Sequence, residues 1–259
     1  MRGERLNNGL TVITTGDGPP LVTLPGLGAG ADLATKVPPL ITVSATALAN
    51  GLHRRVHHIQ RPTNPPVGMT LPDLAAWHAE AFRSRFDGPV DLMGTSGGGA
   101  TALQIALDHP DTVRRLVLCM IAGRPGEEGR RQLVGLMDDE RRGRNNPWTA
   151  SGLVTRGVQR LLIAGMFGAA AVTGRRRAPG EFALVEAIKD WDVMDRLPEL
   201  QMPTLLIAGG RDRLIPADIA RATAAAIPNC HLLMIDGGDH LTTMFDRTVS
   251  PTIKGFLAA

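Results

Sequence analysis

Val90-Asp91-Leu92-Met93-Gly94-Thr95-Ser96-Gly97-Gly98-Gly99-Ala100 decides how the rest of the chain is read. The stretch opens as a short apolar run suited to a buried strand and passes through one serine among four glycines. It continues as Thr101-Ala102-Leu103-Gln104-Ile105-Ala106-Leu107, which suits a helix. Gly94-Thr95-Ser96-Gly97-Gly98 fits G-x-S-x-G, the sharp strand-to-helix turn that holds a serine in a strained backbone conformation. Such a turn brings the residues two before and two after the serine into contact, where side chains would clash. The helix behind it starts with unpaired N–H groups and a positive dipole end, so the Gly97 N–H can face a developing oxyanion. Taken alone, the motif is equally a glycine-rich turn with a solvated serine. Its place between a strand-like and a helix-like segment favours chemistry.

The same rhythm extends on both sides. Residues 4–15 read as a hairpin with Asn7-Asn8-Gly9 as its turn, and Leu21–Leu24 as a short buried strand. Val37–Leu52 is helix-like and Val56–Ile59 strand-like. Thr70 then caps a helix with Pro72 in its first turn and Asp73 at N3, followed by an apolar face of Leu71, Leu74, Ala75, His78, Ala81 and Phe82. Beyond the serine helix come a strand over Val113–Met120, a strand over Pro203–Ala208, a helix over Ala217–Ala226, a strand over His231–Ile235 and a closing helix near Val249–Leu257. Strand and helix in alternation mean a parallel sheet with crossover helices. From Arg124 to Arg196 the rhythm breaks into charged loops and helical segments around Arg130–Met137, Ala150–Thr173 and Glu181–Asp195. The chain therefore divides into a core of residues 1–123 and 197–259 and an inserted segment of residues 124–196.

A length of 259 residues suits one α/β domain with an insertion, and 43% hydrophobic with 20% charged residues is ordinary for a soluble globular protein. Cys119 and Cys230 fall in strand-like runs and read as buried small hydrophobes in a reducing, cytoplasmic compartment, not as a disulfide or a metal site. The first residues carry no apolar signal core. The longest lipid-like run, Leu161–Thr173, has thirteen residues, too few for a membrane span. The formal charge is +3, without a basic stripe interleaved with aromatics, which argues against nucleic acid. The insertion holds thirteen Lys and Arg against ten Asp and Glu, so the whole excess sits there.

Functional residues of a parallel sheet collect beyond its carboxyl edge. Four features fall there: Pro25-Gly26-Leu27-Gly28, Ser96, Gly209-Gly210-Arg211-Asp212 and Asp236-Gly237-Gly238-Asp239-His240. Gly26, Gly28 and Ala31 also match a dinucleotide fingerprint, but no Asp or Glu occurs between Asp32 and Asp73 to hold a ribose. The loop then reads as an oxyanion loop turning the Leu27 N–H toward the serine, or simply as a loop after a strand. A serine hydroxyl needs an imidazole to take its proton and a carboxylate to hold that imidazole's tautomer. His240 follows Gly-Gly just past the last strand; the other six histidines lie within or beside helices and strands. Asp212 leads over Asp218, Asp236 and Asp239, because a sequence neighbour such as Asp239 rarely reaches the ring of His240 in the required geometry.

Thr23-Leu24-Pro25-Gly26, Gly94-Thr95-Ser96-Gly97-Gly98, the run from His109 to Leu118, the run from Met202 to Pro216, and Gly237-Gly238-Asp239-His240 together resemble the α/β-hydrolase superfamily along almost the whole chain. The resemblance implies an α/β hydrolase fold: a mostly parallel eight-stranded sheet with helices on both faces and a helical cap after the sixth strand, where residues 124–196 lie. It carries the nucleophile onto Ser96, the acid onto Asp212, the base onto His240 and the oxyanion donors onto Leu27 and Gly97. Pro25 stands where many members have a histidine, which puts the bracing of that loop in question. Gly97 stands where a larger residue is common, which implies extra room beside the nucleophile.

The function expected is hydrolysis of a carboxylic ester, lactone or thioester of an apolar small molecule through an acyl-enzyme, with no metal and no organic cofactor. Trp148, Leu161, Leu162, Met166, Phe167 and Phe182 are candidate pocket residues, each also explained by packing between cap and core. Arg175, Arg176 and Arg177 are either a solvated loop or an edge that meets an anionic partner, an acidic carrier protein among them. C–C hydrolysis, acyl transfer, perhydrolysis or a lyase step would use the same triad. A non-catalytic ligand-binding protein on this fold would have no reason to keep it. Substrate identity and oligomeric state are not legible.

Overall fold

A computed structural model describes residues 1–27, 31–142 and 179–259. Gly28, the expected helical segment Ala150–Thr173, the pocket candidates Trp148, Leu161, Leu162, Met166 and Phe167, and Arg175–Arg177 all lie outside the described residues.

Eight strands form one sheet. They are β1 (Glu4–Arg5), β2 (Thr11–Thr15), β3 (Pro20–Leu24), β4 (Arg55–Gln60), β5 (Val90–Thr95), β6 (Val113–Cys119), β7 (Thr204–Gly209) and β8 (Cys230–Ile235), in the spatial order β1-β2-β4-β3-β5-β6-β7-β8. The pairings β1–β2 and β2–β4 are antiparallel and the rest parallel. The chain steps from β3 out to β4, then crosses back over β3 to β5 and runs on to β8. The order therefore reverses between β3 and β5, and the crevice beyond their carboxyl ends is where such a sheet binds ligands.

The parallel strands are apolar on both sides, as burial between two helical layers demands. Val22, Leu92, Leu116, Leu118 and Leu206 face a layer that contains α2 (Leu71–Arg85) and α3 (Gly97–Asp108). The alternate residues Leu21, Met93, Val117, Cys119, Leu205 and Ile207 face α1 (Pro39–Leu52) and the closing helix over residues 249–258. The expected cap of α2 is present: the Asp73 N–H donates to Thr70 Oγ1 (3.3 Å) while the Thr70 N–H donates to Asp73 Oδ2 (2.9 Å).

Between β6 and β7 the described chain forms α4 (Glu127–Arg141), α5 (Pro179–Ile188) and a 3₁₀ turn over Met194–Glu199. The sequence suggested a longer helical segment, Glu181–Asp195. It stops at Ile188 because Trp191 is drawn to α3, where its indole N–H donates to Gln104 Oε1 (2.8 Å), and Asp192 Oδ1 takes the Met194 N–H (3.0 Å) in a local turn. Leu133, Met137, Leu184, Val185, Ile188 and Trp191 share the larger core cluster, so α4, α5 and the turn after it are continuous with the sheet's own packing. Helices α6 (Ala217–Ala226) and α7 (Val249–Ala258) complete the described fold, and none of the described helices is long and apolar enough to cross a membrane.

Both cysteines are free. Burial pushes the Cys119 thiol up to about 12. Cys230, expected to be buried, is only half-buried because β8 is the edge strand.

Candidate active site

Ser96 sits between β5 and α3 at φ 50° and ψ −120°, a left-handed conformation that side chains rarely adopt. Two contacts force it. A Cβ at Gly94 would lie 2.5 Å from Gly98 O and 2.6 Å from Ala102 Cβ, so the strand reaches the helix only without one. A Cβ at Gly98 would lie 2.2 Å from Leu24 O, which lets α3 rest on the end of β3. The Ser96 N–H donates to Cys119 O (2.8 Å), tying the turn to β6.

The half-buried hydroxyl so presented is 2.9 Å from His240 Nε2. On the far side of the ring, His240 Nδ1 is 2.7 Å from Asp212 Oδ2. A carboxylate accepts, so Nδ1 carries the proton and Nε2 is free to receive the hydroxyl's. Asp212 is buried, and its other oxygen accepts the N–H groups of Leu214 (2.8 Å) and Ile215 (3.0 Å), which fixes the carboxylate's plane. Asp239 serves a different purpose. Its Oδ1 accepts from the Leu241 and Thr242 N–H groups (3.2 and 3.0 Å) and from Thr242 Oγ1 (2.8 Å), holding the turn that carries His240. Asp236 is exposed and Asp218 lies in the first turn of α6. The strand-end placement inferred for Ser96, Asp212 and His240 thus brings the three into one hydrogen-bonded line.

The loop after β3 comes in from the other side. A Cβ on Gly26 would lie 3.3 Å from Ser96 Cβ and 4.0 Å from its Oγ, so backbone alone fills the gap between loop and serine. Leu27 follows in this loop, half-buried, and Gly97 is the first residue of α3, where an N–H has no intrahelical acceptor. Pro25 leaves the loop without a histidine brace, and Arg61, just past β4, replaces it. Its Nη2 donates to Pro25 O (2.5 Å) and Gly26 O (2.7 Å).

One expectation is overturned. The absent side chain of Gly97 leaves no free room, because α5 fills it: a Cβ there would lie 2.9 Å from Leu184 Cδ2 and 3.6 Å from Ile188 Cδ1. Phe182, the pocket candidate within the described residues, is half-buried against the core cluster. Two residues along a helix turn through about 200°, so Leu184 and Ile188, not Phe182, meet the elbow. Arg61 and Glu181 also escaped the sequence reading. Thr23 pairs with His58 in the parallel register of β3 and β4, and three residues on from that pair lie Gly26 and Arg61. That count was the available signal.

Comparison with known proteins agrees with this architecture. The profile of the alpha/beta hydrolase fold family matches residues 19–246. A poly(3-hydroxyalkanoate) depolymerase of Ectopseudomonas oleovorans is 30% identical over 205 residues, 72% of this chain and 67% of that protein. A putative carbamate hydrolase of Stutzerimonas stutzeri is 24% identical over 89% of this chain and 88% of its own length. Among solved structures, a hydrolase from Pseudomonas aeruginosa superposes with a TM-score of 0.78 at 21% identity, covering 99% of this chain and 98% of that one.

Proposed function

This chain belongs to the α/β hydrolase fold family and is a hydrolytic enzyme, and on that premise we propose that it is a serine hydrolase of carboxylic esters, lactones or thioesters of apolar small molecules. The observation that carries the reading is the line from Ser96 Oγ through the His240 ring to Asp212, at 2.9 and 2.7 Å, on a serine held at positive φ.

In this reading Ser96 Oγ attacks the carbonyl carbon as its proton passes to His240 Nε2, and Asp212 stabilises the imidazolium. The carbonyl oxygen, now negative, is taken by the N–H groups of Leu27 and Gly97. The tetrahedral adduct collapses, His240 returns its proton to the departing oxygen or sulfur, and an acyl-serine remains. Water then attacks with His240 as base and releases the acid. Protons move only between water, substrate and these side chains, so the scheme uses no metal or organic cofactor. Residues 124–196 form the lid in this reading, with α5 as the part seated against the elbow. The two free cysteines suit a reducing, cytoplasmic location.

A second reading narrows the substrate to a thioester presented by an acidic carrier protein. The basic excess of residues 124–196, including Arg175, Arg176 and Arg177, favours it. A fluorophosphonate probe, followed by a panel of acyl esters, lactones and pantetheine thioesters of graded length, tests both. We expect labelling at Ser96 that disappears in Ser96→Ala. An unlabelled Ser96 in folded protein would remove the serine-hydrolase reading, and a preference for free esters over pantetheine thioesters would remove the carrier.

A further inference from the structure

We propose that Arg61 is the positioning residue of the oxyanion peptide, and that its buried pairing with Glu181 places that peptide under the control of α5. This rests on the serine-hydrolase reading of the site.

The peptide between Gly26 and Leu27 is one rigid plane, and in a trans peptide the carbonyl and the N–H point in opposite directions. Arg61 Nη2 takes the Gly26 carbonyl at 2.7 Å and the Pro25 carbonyl at 2.5 Å. Fixing that carbonyl on the guanidinium turns the Leu27 N–H the other way. A flipped peptide would set the Leu27 N–H against a guanidinium donor and aim a carbonyl oxygen at the oxyanion. Arg61 therefore selects, between two orientations of one peptide, the one that can catalyse.

An arginine is rarely put in such a place without compensation. Arg61 is only 5% exposed, and a guanidinium taken out of water is tolerated only when its charge is met by a partner. Two buried histidines that feel its charge are silent: burial, with help from Arg61 itself, pushes His58 and His78 down to about 4, so both are neutral at ordinary pH. The balancing charge is Glu181 of α5, also buried, whose Oε1 lies 3.7 Å from Arg61 Nη1. Beside it the Gly180 N–H donates to Thr63 O (2.9 Å), fastening the start of α5 to the chain just past Arg61.

The same helix reaches the second donor. Leu184 and Ile188 pack where a side chain of residue 97 would stand. Helix α5 thus bears on the Leu27 peptide through Glu181 and Arg61, and on Gly97 directly. Both oxyanion donors are set by how one helix of the inserted segment is seated.

The test compares Arg61→Lys, Arg61→Met and Glu181→Gln with wild type. It measures kcat per fluorophosphonate-titrated serine and KM on a short neutral ester, together with the inhibition constant of a trifluoromethyl ketone, whose serine adduct bears an oxyanion. Loss of one oxyanion donor costs about 10²–10³ in turnover, so Arg61→Met should lose roughly that much kcat with KM changed less than about threefold. Its ketone affinity should fall in parallel. Arg61→Lys, which keeps a charged donor for the two carbonyls, should recover all but about tenfold. Glu181→Gln should lose about three- to tenfold in kcat and ketone affinity together. If Arg61→Met does not fold, the other two variants decide. Unchanged kcat per titrated serine and unchanged ketone affinity in Arg61→Lys and Glu181→Gln would overturn the proposal. Wild type that hydrolyses nothing and leaves Ser96 unlabelled would overturn the hydrolase reading first.

Discussion

Leu184 Cδ2 lies 2.9 Å from where a Cβ of Gly97 would be, so the elbow glycine and the α5 leucine share one volume beside the serine. The side chain that the family resemblance implies on the elbow is supplied here by α5. The leucine is fully buried, and its removal opens space beside residue 97, next to the serine. Leu184→Ala should shift the preferred acyl length upward by a few carbons in an ester panel, at a stability cost of about 2–5 kcal/mol. An unchanged length optimum in folded protein would mean that α5 is not a wall of the substrate pocket.

The two neighbouring carboxylates should separate cleanly. Asp212 holds the His240 tautomer, so Asp212→Asn should lower turnover by about 10⁴-fold with little change in melting temperature. Asp239 holds a turn through its Oδ1, an acceptor that asparagine retains. Asp239→Asn should therefore stay within about tenfold of wild type. The opposite ranking in kcat would assign the imidazole to the wrong acid.

Much of this is legible in the sequence. Leu116 to Cys119 and Leu205 to Ile207 read as buried strands because both faces of the sheet are covered, and the helix over Ala217–Ala226 falls between the bounds its sequence suggests. The parallel topology followed, and with it the edge on which Ser96, Asp212 and His240 meet. Arg61 was hidden by its neighbours: an arginine heading Pro62-Thr63-Asn64-Pro65-Pro66 looks like the start of a solvated loop. Only the side-by-side register of β3 and β4 sets it against the Gly26 carbonyl. The contacts of α5 were hidden for a related reason. An amphipathic period names a buried face but not what it is buried against, so Phe182 stood out by size while Leu184 made the contact.

The strain at Ser96 makes its own prediction. Ser96→Ala removes the nucleophile but leaves a Cβ at φ 50°, whereas Ser96→Gly removes both. Backbone strain of this kind costs about 1–3 kcal/mol, and glycine gives back roughly 0.5–1 kcal/mol as chain entropy. Both variants should be inactive, with Ser96→Gly melting at the higher temperature in a thermal scan. Equal melting temperatures would show that the elbow holds the serine without strain.

Acid should destabilise the fold before it reaches the carboxylate range, and His78 shows why. It lies on α2, 1% exposed, with its Nδ1–H donated to Leu74 O at 2.8 Å. Burial pushes its pKa down to about 4, with Arg61 adding to the effect and the Leu74 hydrogen bond opposing it. His57, also buried and edge-on to Phe86, is pushed to about 4 by burial and then by Arg85 and Arg55. In the unfolded chain both titrate near the ordinary value of about 6.5. Between about 6.5 and 4 the unfolded state therefore binds protons that the folded state refuses, and stability falls as pH falls through that window. Each such histidine contributes a slope of up to about 1.4 kcal/mol per pH unit, all of it absent above about pH 7. Urea unfolding of wild type should show stability flat from pH 7 to 8 and falling steadily from pH 6.5 to 4.5. His78→Gln, which keeps a donor for Leu74 but cannot take a proton, should have a shallower acid limb even if it is less stable at pH 8. If wild type and His78→Gln lose stability in parallel across that window, His78 is not among the groups that acid must charge.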